Sequence, residues 1–184
     1  MGNEEPELPK KHQITIFKKT NKRGITNHDE VVKFVKEKYG TMANVVATDP
    51  QALSRVEQIN LMLNTTLFLV PCGAISFSAL FLPPGATLIV TDFPGYQDKD
   101  VFTSDHMDSS VWSALWWIND VYYTINSAEE IEHPLNFTFP HPQTCPLKTK
   151  NNEAYRGYRA GRGVKIKFDK LSLLIDHAFF TMSN

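Results

Sequence analysis

Two unbroken apolar runs constrain this chain most: Thr66-Leu67-Phe68-Leu69-Val70 and Ala86-Thr87-Leu88-Ile89-Val90. Neither shows the in-out alternation of a strand with one wet face. Such runs suit strands buried on both faces, the situation inside a parallel sheet flanked by helices. Between them, Pro71-Cys72-Gly73-Ala74 reads as a sharp turn and Ser76–Phe81 as one or two helical turns, closed by Pro83-Pro84-Gly85.

The segment before these runs fits the same plan. Gln13–Phe17 is rich in β-branched and aromatic residues and reads as a buried strand, followed by the polar loop Lys18–Gly24. Asn27 or Asp29 offers an N-cap for a helix carrying Val31, Val32, Phe34 and Val35, with a stop at Tyr39-Gly40. Asn44–Ala47 is a second short strand. Asp49-Pro50 reads as the start of a second helix, with Leu53, Val56, Ile59, Leu61 and Leu63 broadly on one side. Strands and helices that alternate in this way predict an α/β fold, a Rossmann-like doubly wound parallel sheet.

The second half is less regular. Val111–Ile118, with Trp112, Trp116 and Trp117, reads as a buried helix, and Val121–Ile125 as a strand. Residues 133–163 read as a long irregular loop. Val164–Phe168 alternates as an edge strand does, and Asp169 is the expected cap of a last helix with Leu171, Leu174, Ile175, Ala178 and Phe179 inward. The expected organisation is a disordered polar leader over residues 1–12 and a single domain over 13–184.

Composition narrows the function. The 184 residues carry 19 Lys and Arg against 20 Asp and Glu, a formal net charge of -1. That balance argues against a general nucleic-acid binder, which needs a basic face. Cys72 and Cys145 are too few for a disulfide scaffold or a four-thiolate zinc site. The polar start lacks the apolar core of a signal peptide, and the apolar stretch Leu67–Leu82 is broken by Pro71, Gly73 and serines.

In doubly wound sheets, ligands sit beyond the C-terminal strand ends. Two loops occupy such ends here, Lys19–Asn27 and Pro71–Ser76. In the first, Lys19 and Arg23 stand four residues apart with Asn27 near a helix start. Arg supplies a bidentate fork, Lys a point charge and a helix N-terminus its unpaired N–H groups, together a plausible diphosphate clamp. A solvated basic loop is the plainer alternative.

The order of the remaining motifs is more specific. Glu57-Gln58 precedes the apolar strand, Gly73-Ala74 follows it, and Leu80-Phe81-Leu82-Pro83-Pro84-Gly85 comes next. From Gln13 to about Tyr96 the chain resembles the C-terminal, donor-binding domain of glycosyltransferase family 61. That family's pattern is Arg-x3-Arg-x3-Asn, then Glu-Gln, His-Gly-Ala and Leu-Phe-hydrophobic-Pro-x-Gly. Arg23 and Asn27 match, Lys19 stands at the first Arg, Cys72 replaces the His, and Val90 falls where a strand-end glutamate is expected.

The resemblance implies one half of a two-domain GT-B architecture. It also implies sugar transfer from a nucleotide-diphosphate donor, UDP-linked, to a hydroxyl of a glycan or glycoprotein, with inversion and without metal or cofactor. Lys19, Arg23, Asn27, Cys72, Gly73, Ala74 and Ser76 would face the donor, supported by Glu57 and Gln58. No catalytic base is implied among them, since it would come from the other half. The family's setting implies the lumen of the ER or Golgi, reached through an N-terminal anchor that these residues do not contain. A non-catalytic protein that keeps the fold is the alternative, because Cys72 as a neutral thiol supplies no cation.

Several further motifs read as structural. Asp98-Lys99-Asp100 reads as an acidic turn, and His106 between Asp105 and Asp108 lacks a partner at metal-ligand spacing. Tyr155–Gly163 is too short a run of aromatics and arginines for nucleic acid. Trp112 and Trp116 have core spacing. Asn64-Thr65-Thr66 and Asn136-Phe137-Thr138 are sequons, the first abutting a buried strand.

Overall fold

The computed structural model describes residues 11–19, 23–91, 93–96, 102–105, 112, 114–132 and 163–182. Asp98–Asp100, His106, Asn136, Cys145 and Tyr155–Arg162 lie outside the described residues, as does most of the 133–163 segment.

The chain begins with β1 (His12–Phe17), α1 (His28–Tyr39), β2 (Ala43–Thr48), α2 (Arg55–Leu63) and β3 (Leu67–Pro71). A 3-10 segment, Ala74–Phe81, leads to β4 (Thr87–Thr91), then β5 (Phe93–Tyr96), β6 (Phe102–Asp105) and β7 (Asn119–Tyr123). The short strands β8 (Ile131–Glu132) and β9 (Gly163–Val164) precede α3 (Phe168–Met182). The main sheet has five strands in the order β2-β1-β3-β4-β7, every pair parallel.

Both faces of that sheet are covered, as the apolar runs require. One face buries Ile14, Ile16, Leu67, Leu69 and Ile89 against Val31, Val35 and Tyr39 of α1 and Leu171, Ile175, Ala178 and Phe179 of α3. The other buries Phe17, Phe68, Val70, Leu88 and Val90 against Met62 of α2, Ala79 of the 3-10 segment and Trp112. Strand residues alternate between the two clusters, so each hydrophobic neighbour in β3 serves a different layer. Burying one such side chain contributes roughly 1.5–3 kcal/mol. The result is a Rossmann-like α/β sheet.

Local structure departs from expectation where polar groups find better partners. The second helix starts at Arg55, not Asp49. Asp49 caps only a single 3-10 turn, Pro50–Ala52, by accepting from Gln51 N (2.9 Å). Leu53 then turns extended, and Ser54 opens α2 with a reciprocal capping box: Ser54 N donates to Glu57 Oε2 (2.7 Å) and Glu57 N to Ser54 Oγ (3.3 Å). The supposed apolar side of this helix is only partly inward, since Val56 is 67% and Leu63 52% exposed. The segment after Cys72 is 3-10 throughout rather than α-helical.

The later corrections have similar causes. Trp112 is helical, but residues 114–118 form turns closed by Leu115 N to Trp112 O and Ile118 N to Leu115 O, so the expected helix does not run on to Ile118. Trp112 is fully buried, whereas Trp116 is 88% exposed, so helical spacing misplaced the second ring. The expected edge strand over Val164–Phe168 shrinks to Gly163–Val164, paired antiparallel with Ile131–Glu132. Ile166 cannot extend that ladder because its backbone is taken by a side chain, Asn27. The last helix already includes Phe168, which leaves Asp169 in its first turn, where a carboxylate suits the dipole.

A buried ionic network fastens α3 to the end of β7. Glu130, 2% exposed, accepts from Tyr123 Oη (2.7 Å), Lys170 Nζ (2.9 Å), Asn126 N (3.0 Å) and Ser127 N (3.1 Å). Lys170 also donates to the Thr124 carbonyl. Burial alone would push the Glu130 carboxyl up, but hydrogen bonds from Lys170, Tyr123 and Asn126 outweigh it and hold it below its ordinary value. Burial likewise pushes the Tyr123 phenol up, so it remains a donor.

A folded-state value below the unfolded one means this stabilisation is complete above the ordinary carboxylate range and is lost as pH falls through the lowered value. Glu130→Gln should therefore destabilise the domain by about 1.5–3 kcal/mol near neutral pH. Urea unfolding at several pH values should show the gap to wild type closing as the pH becomes acidic.

Candidate functional site

The strand order places a switch point between β1 and β3. From β1 the chain crosses to β2 on one side, and from β3 it proceeds to β4 on the other. The loops after β1 and β3 therefore emerge side by side at the C-terminal edge of the sheet and separate there. That is where open α/β sheets form ligand crevices.

A cleft of about 540 Å³ lies at this edge, lined by Lys19, Arg23, Pro50, Gln51, Gln58, Ala74, Ile75 and Ser78. Its volume lies within the range of small-molecule sites. Lys19 Nζ donates to the Cys72 carbonyl (3.1 Å), which ties the β1 loop to the end of β3. Arg23 sits at φ 66° and Gly73 at φ 104°. A left-handed non-glycine residue costs of order 1–3 kcal/mol and persists only where its surroundings over-determine it.

Gly73 is set by its left-handed backbone, with little room to spare above it. A Cβ there would lie 3.3 Å from Lys19 Nζ and 3.5 Å from the Arg23 guanidinium carbon. Both cationic heads thus close over this one glycine. Immediately beyond, the 3-10 segment begins at Ala74, and its first amides have no intrahelical acceptor. Two cations beside a helix start are what an anionic group needs.

Gln58 shapes the opposite wall. Its Nε2 donates to Pro50 O (2.7 Å) and Leu53 O (3.1 Å), which locks the Pro50–Leu53 turn onto α2. Glu57, its neighbour, is engaged as the cap of α2 and is held below its ordinary value by the Ser54 hydroxyl and amide.

The structure thus brings Lys19, Arg23, Gln58 and Ala74 into one cleft, with Gly73 beneath the two cations. Asn27, Cys72, Ser76 and Glu57 do not line it. Cys72 is 3% exposed and packs in the apolar cluster beneath, and Ser76 is fully buried with its Oγ donating to Gly73 O (2.6 Å). Asn27 holds another part of the chain: its Nδ2 donates to Ile166 O (2.9 Å) and its Oδ1 accepts from Ile166 N (2.8 Å). Sequence reasoning missed Pro50, Gln51 and Ser78. Pro50 and Gln51 were within reach of the same rule, since they follow β2 at its C-terminal end.

The fold and this cleft define a Rossmann-like domain with a site suited to an anionic ligand. Residues 3–89 match the family model described as Glycosyltransferase 61, which shows the resemblance read from the sequence. That stretch runs from ahead of β1 into β4 and carries every lining residue of the cleft. The chain is also 28% identical over 102 residues to protein O-linked-mannose beta-1,4-N-acetylglucosaminyltransferase 2 of Takifugu rubripes. The alignment covers 55% of this chain but 17% of that protein, so the chain spans only a small part of its relative. Among the described residues, no helix is long and apolar enough to cross a membrane.

Two substitutions separate support from site. Asn27→Ala strands the Ile166 N–H and carbonyl and should cost about 2 kcal/mol. For a domain of this size that is a Tm loss of roughly 4–8 °C by calorimetry. Gly73→Ala should also destabilise, by about 1 kcal/mol or more from its left-handed backbone alone. Its methyl group would in addition press on Lys19 Nζ, so anion affinity should fall with it in a titration with pyrophosphate.

Proposed function

We propose that this cleft binds the diphosphate of a nucleotide-sugar donor and that the chain is the donor-binding part of a glycosyltransferase of GT-B architecture. The observation that carries this reading is the convergence of Lys19 and Arg23 over Gly73 at the switch point of the sheet. The match of residues 3–89 to the glycosyltransferase 61 model supports it.

In the proposed reaction an acceptor hydroxyl oxygen attacks the anomeric carbon of the donor sugar, and a new glycosidic bond forms. The bond from that carbon to the diphosphate oxygen breaks, and the nucleoside diphosphate leaves with the electron pair. The hydroxyl proton passes to a base that is not assigned among the described residues. Negative charge grows on the departing diphosphate, where Lys19, Arg23 and the first amides of the 3-10 segment would stabilise it without a metal or cofactor. Attack from the side opposite the leaving group inverts the anomeric centre. The acceptor would be a glycan or glycoprotein in the lumen of the ER or Golgi, as the family resemblance implies.

A second reading, a binding protein that keeps the fold without the chemistry, draws on two positions. Cys72 is buried beneath the cleft where the family has a histidine, and Val90 is apolar and 2% exposed where a glutamate is expected.

Thermal unfolding of the chain with UDP, UDP-GlcNAc, UDP-xylose and GDP tests the donor site. A ligand at 100 times its Kd adds about 2.7 kcal/mol, a rise of roughly 5–11 °C. Arg23→Gly keeps the left-handed backbone without strain while removing the guanidinium, so it should fold and lose that rise. The absence of a shift with every nucleotide would contradict the donor reading.

A further inference from the structure

We propose that Asn64 is an N-linked glycosylation site, its side chain standing outside the fold at the end of the sheet remote from the cleft. This inference rests on the lumenal setting given under the proposed function and is independent of what the cleft binds.

Asn64-Thr65-Thr66 has the Asn-x-Thr form of an oligosaccharide acceptor. In sequence this sequon abuts a buried strand, but the structure divides it. Thr65 and Thr66 are fully buried, whereas Asn64 is exposed as the C-cap of α2. A sugar on Asn64 therefore projects into solvent and displaces no packed side chain. Asn64 Nδ2 donates to the Asn60 carbonyl (2.8 Å) and has no other hydrogen-bond partner among the described residues. In the transfer, Asn64 Nδ2 attacks the anomeric carbon of a lipid-diphosphate-linked oligosaccharide. A carbon–nitrogen bond forms, the bond from that carbon to the diphosphate oxygen breaks, and the lipid diphosphate leaves with the electron pair. One amide proton passes to the transferring enzyme, and the remaining N–H keeps the bond to Asn60.

Position and surroundings both favour a glycan here. Asn64 precedes β3 and so lies at the N-terminal edge of the sheet, while the cleft opens at the C-terminal edge. The cleft residue nearest in sequence, Gln58, stands six positions back on α2, roughly 9 Å along the helix axis. The same helix leaves Val56 67% and Leu63 52% exposed. These two lie on one helix face, and a bulky hydroxylated chain rooted beside Leu63 shields them from association with other apolar surface.

Thr66 sets the timing. Its Oγ1 accepts from Gln13 N (3.1 Å) and donates to Gln13 O (3.2 Å), so the hydroxyl of the sequon is locked away once β3 pairs with β1. The sugar must arrive on the emerging chain before that pairing, and the finished fold then accommodates it.

The test is expression of the 184-residue chain behind a cleavable secretory signal peptide in a eukaryotic cell, with Asn136→Gln removing the chain's other sequon. Protein whose signal peptide has been removed has entered the lumen, and only that fraction is read. It should show a one-glycan mobility shift that peptide N-glycosidase abolishes, with the enzyme's conversion of asparagine to aspartate found at position 64 by mass spectrometry. Adding Asn64→Gln should remove the shift. Processed protein that is unmodified at position 64 overturns the site and leaves the donor cleft standing. Refolded protein from bacteria should stay unmodified when incubated with microsomes, and its modification would overturn the timing. The rise in unfolding temperature with UDP should be equal before and after glycan removal. A rise that appears only after removal contradicts the remote placement, whereas no rise in either form contradicts the donor reading alone.

Discussion

The parallel pairing of β1 with β3, Ile14 beside Leu67 through Ile16 beside Leu69, is the constraint on which the site depends. These strands are separated by 49 residues, 18–66, and two helices, yet their C-terminal ends must emerge together. Once they do, Lys19 reaches the Cys72 carbonyl, and the loop carrying Arg23 is drawn over the turn carrying Gly73. The pairing is strong because β1 and β3 are buried on both faces, where a slip of one residue would exchange the clusters that Leu67 and Phe68 serve.

Around that edge, polar side chains that look functional in sequence divide into two groups. Lys19, Arg23 and Gln58 face the cleft. Asn27, Glu57 and Ser76 hold the frame: one clamps Ile166, one caps α2, and one closes the turn at Gly73. The frame residues still matter to the proposed chemistry. The Ile166 clamp holds the start of α1, and the Glu57 cap orients the helix that presents Gln58.

The clustering of two cations over one glycine, with Arg23 in a left-handed conformation, is unfavourable for stability taken alone. Natural folds concentrate such strain where a ligand repays it.

How far the sequence could be read follows from the range of the forces involved. Uninterrupted apolar runs report burial on both faces, so the parallel sheet and its strands were legible within a residue or two. The loops after β1 and β3 were legible as site candidates because strand ends are local features. Competition between local and distant hydrogen-bond partners was not legible: Ser54 over Asp49 as the start of α2, or Asn27 ending the ladder at Ile166. Trp112 and Trp116 show the same limit, since helical spacing assumes that the helix at Trp112 continues to Trp116, where turns at 114–118 take over. The sequence by itself determined the α/β class, the positions of the strands and the pool of charged residues near their ends. Only the tertiary structure decided which of those residues share a cleft, because the strand order and long-range hydrogen bonds that select them act between segments far apart in the chain.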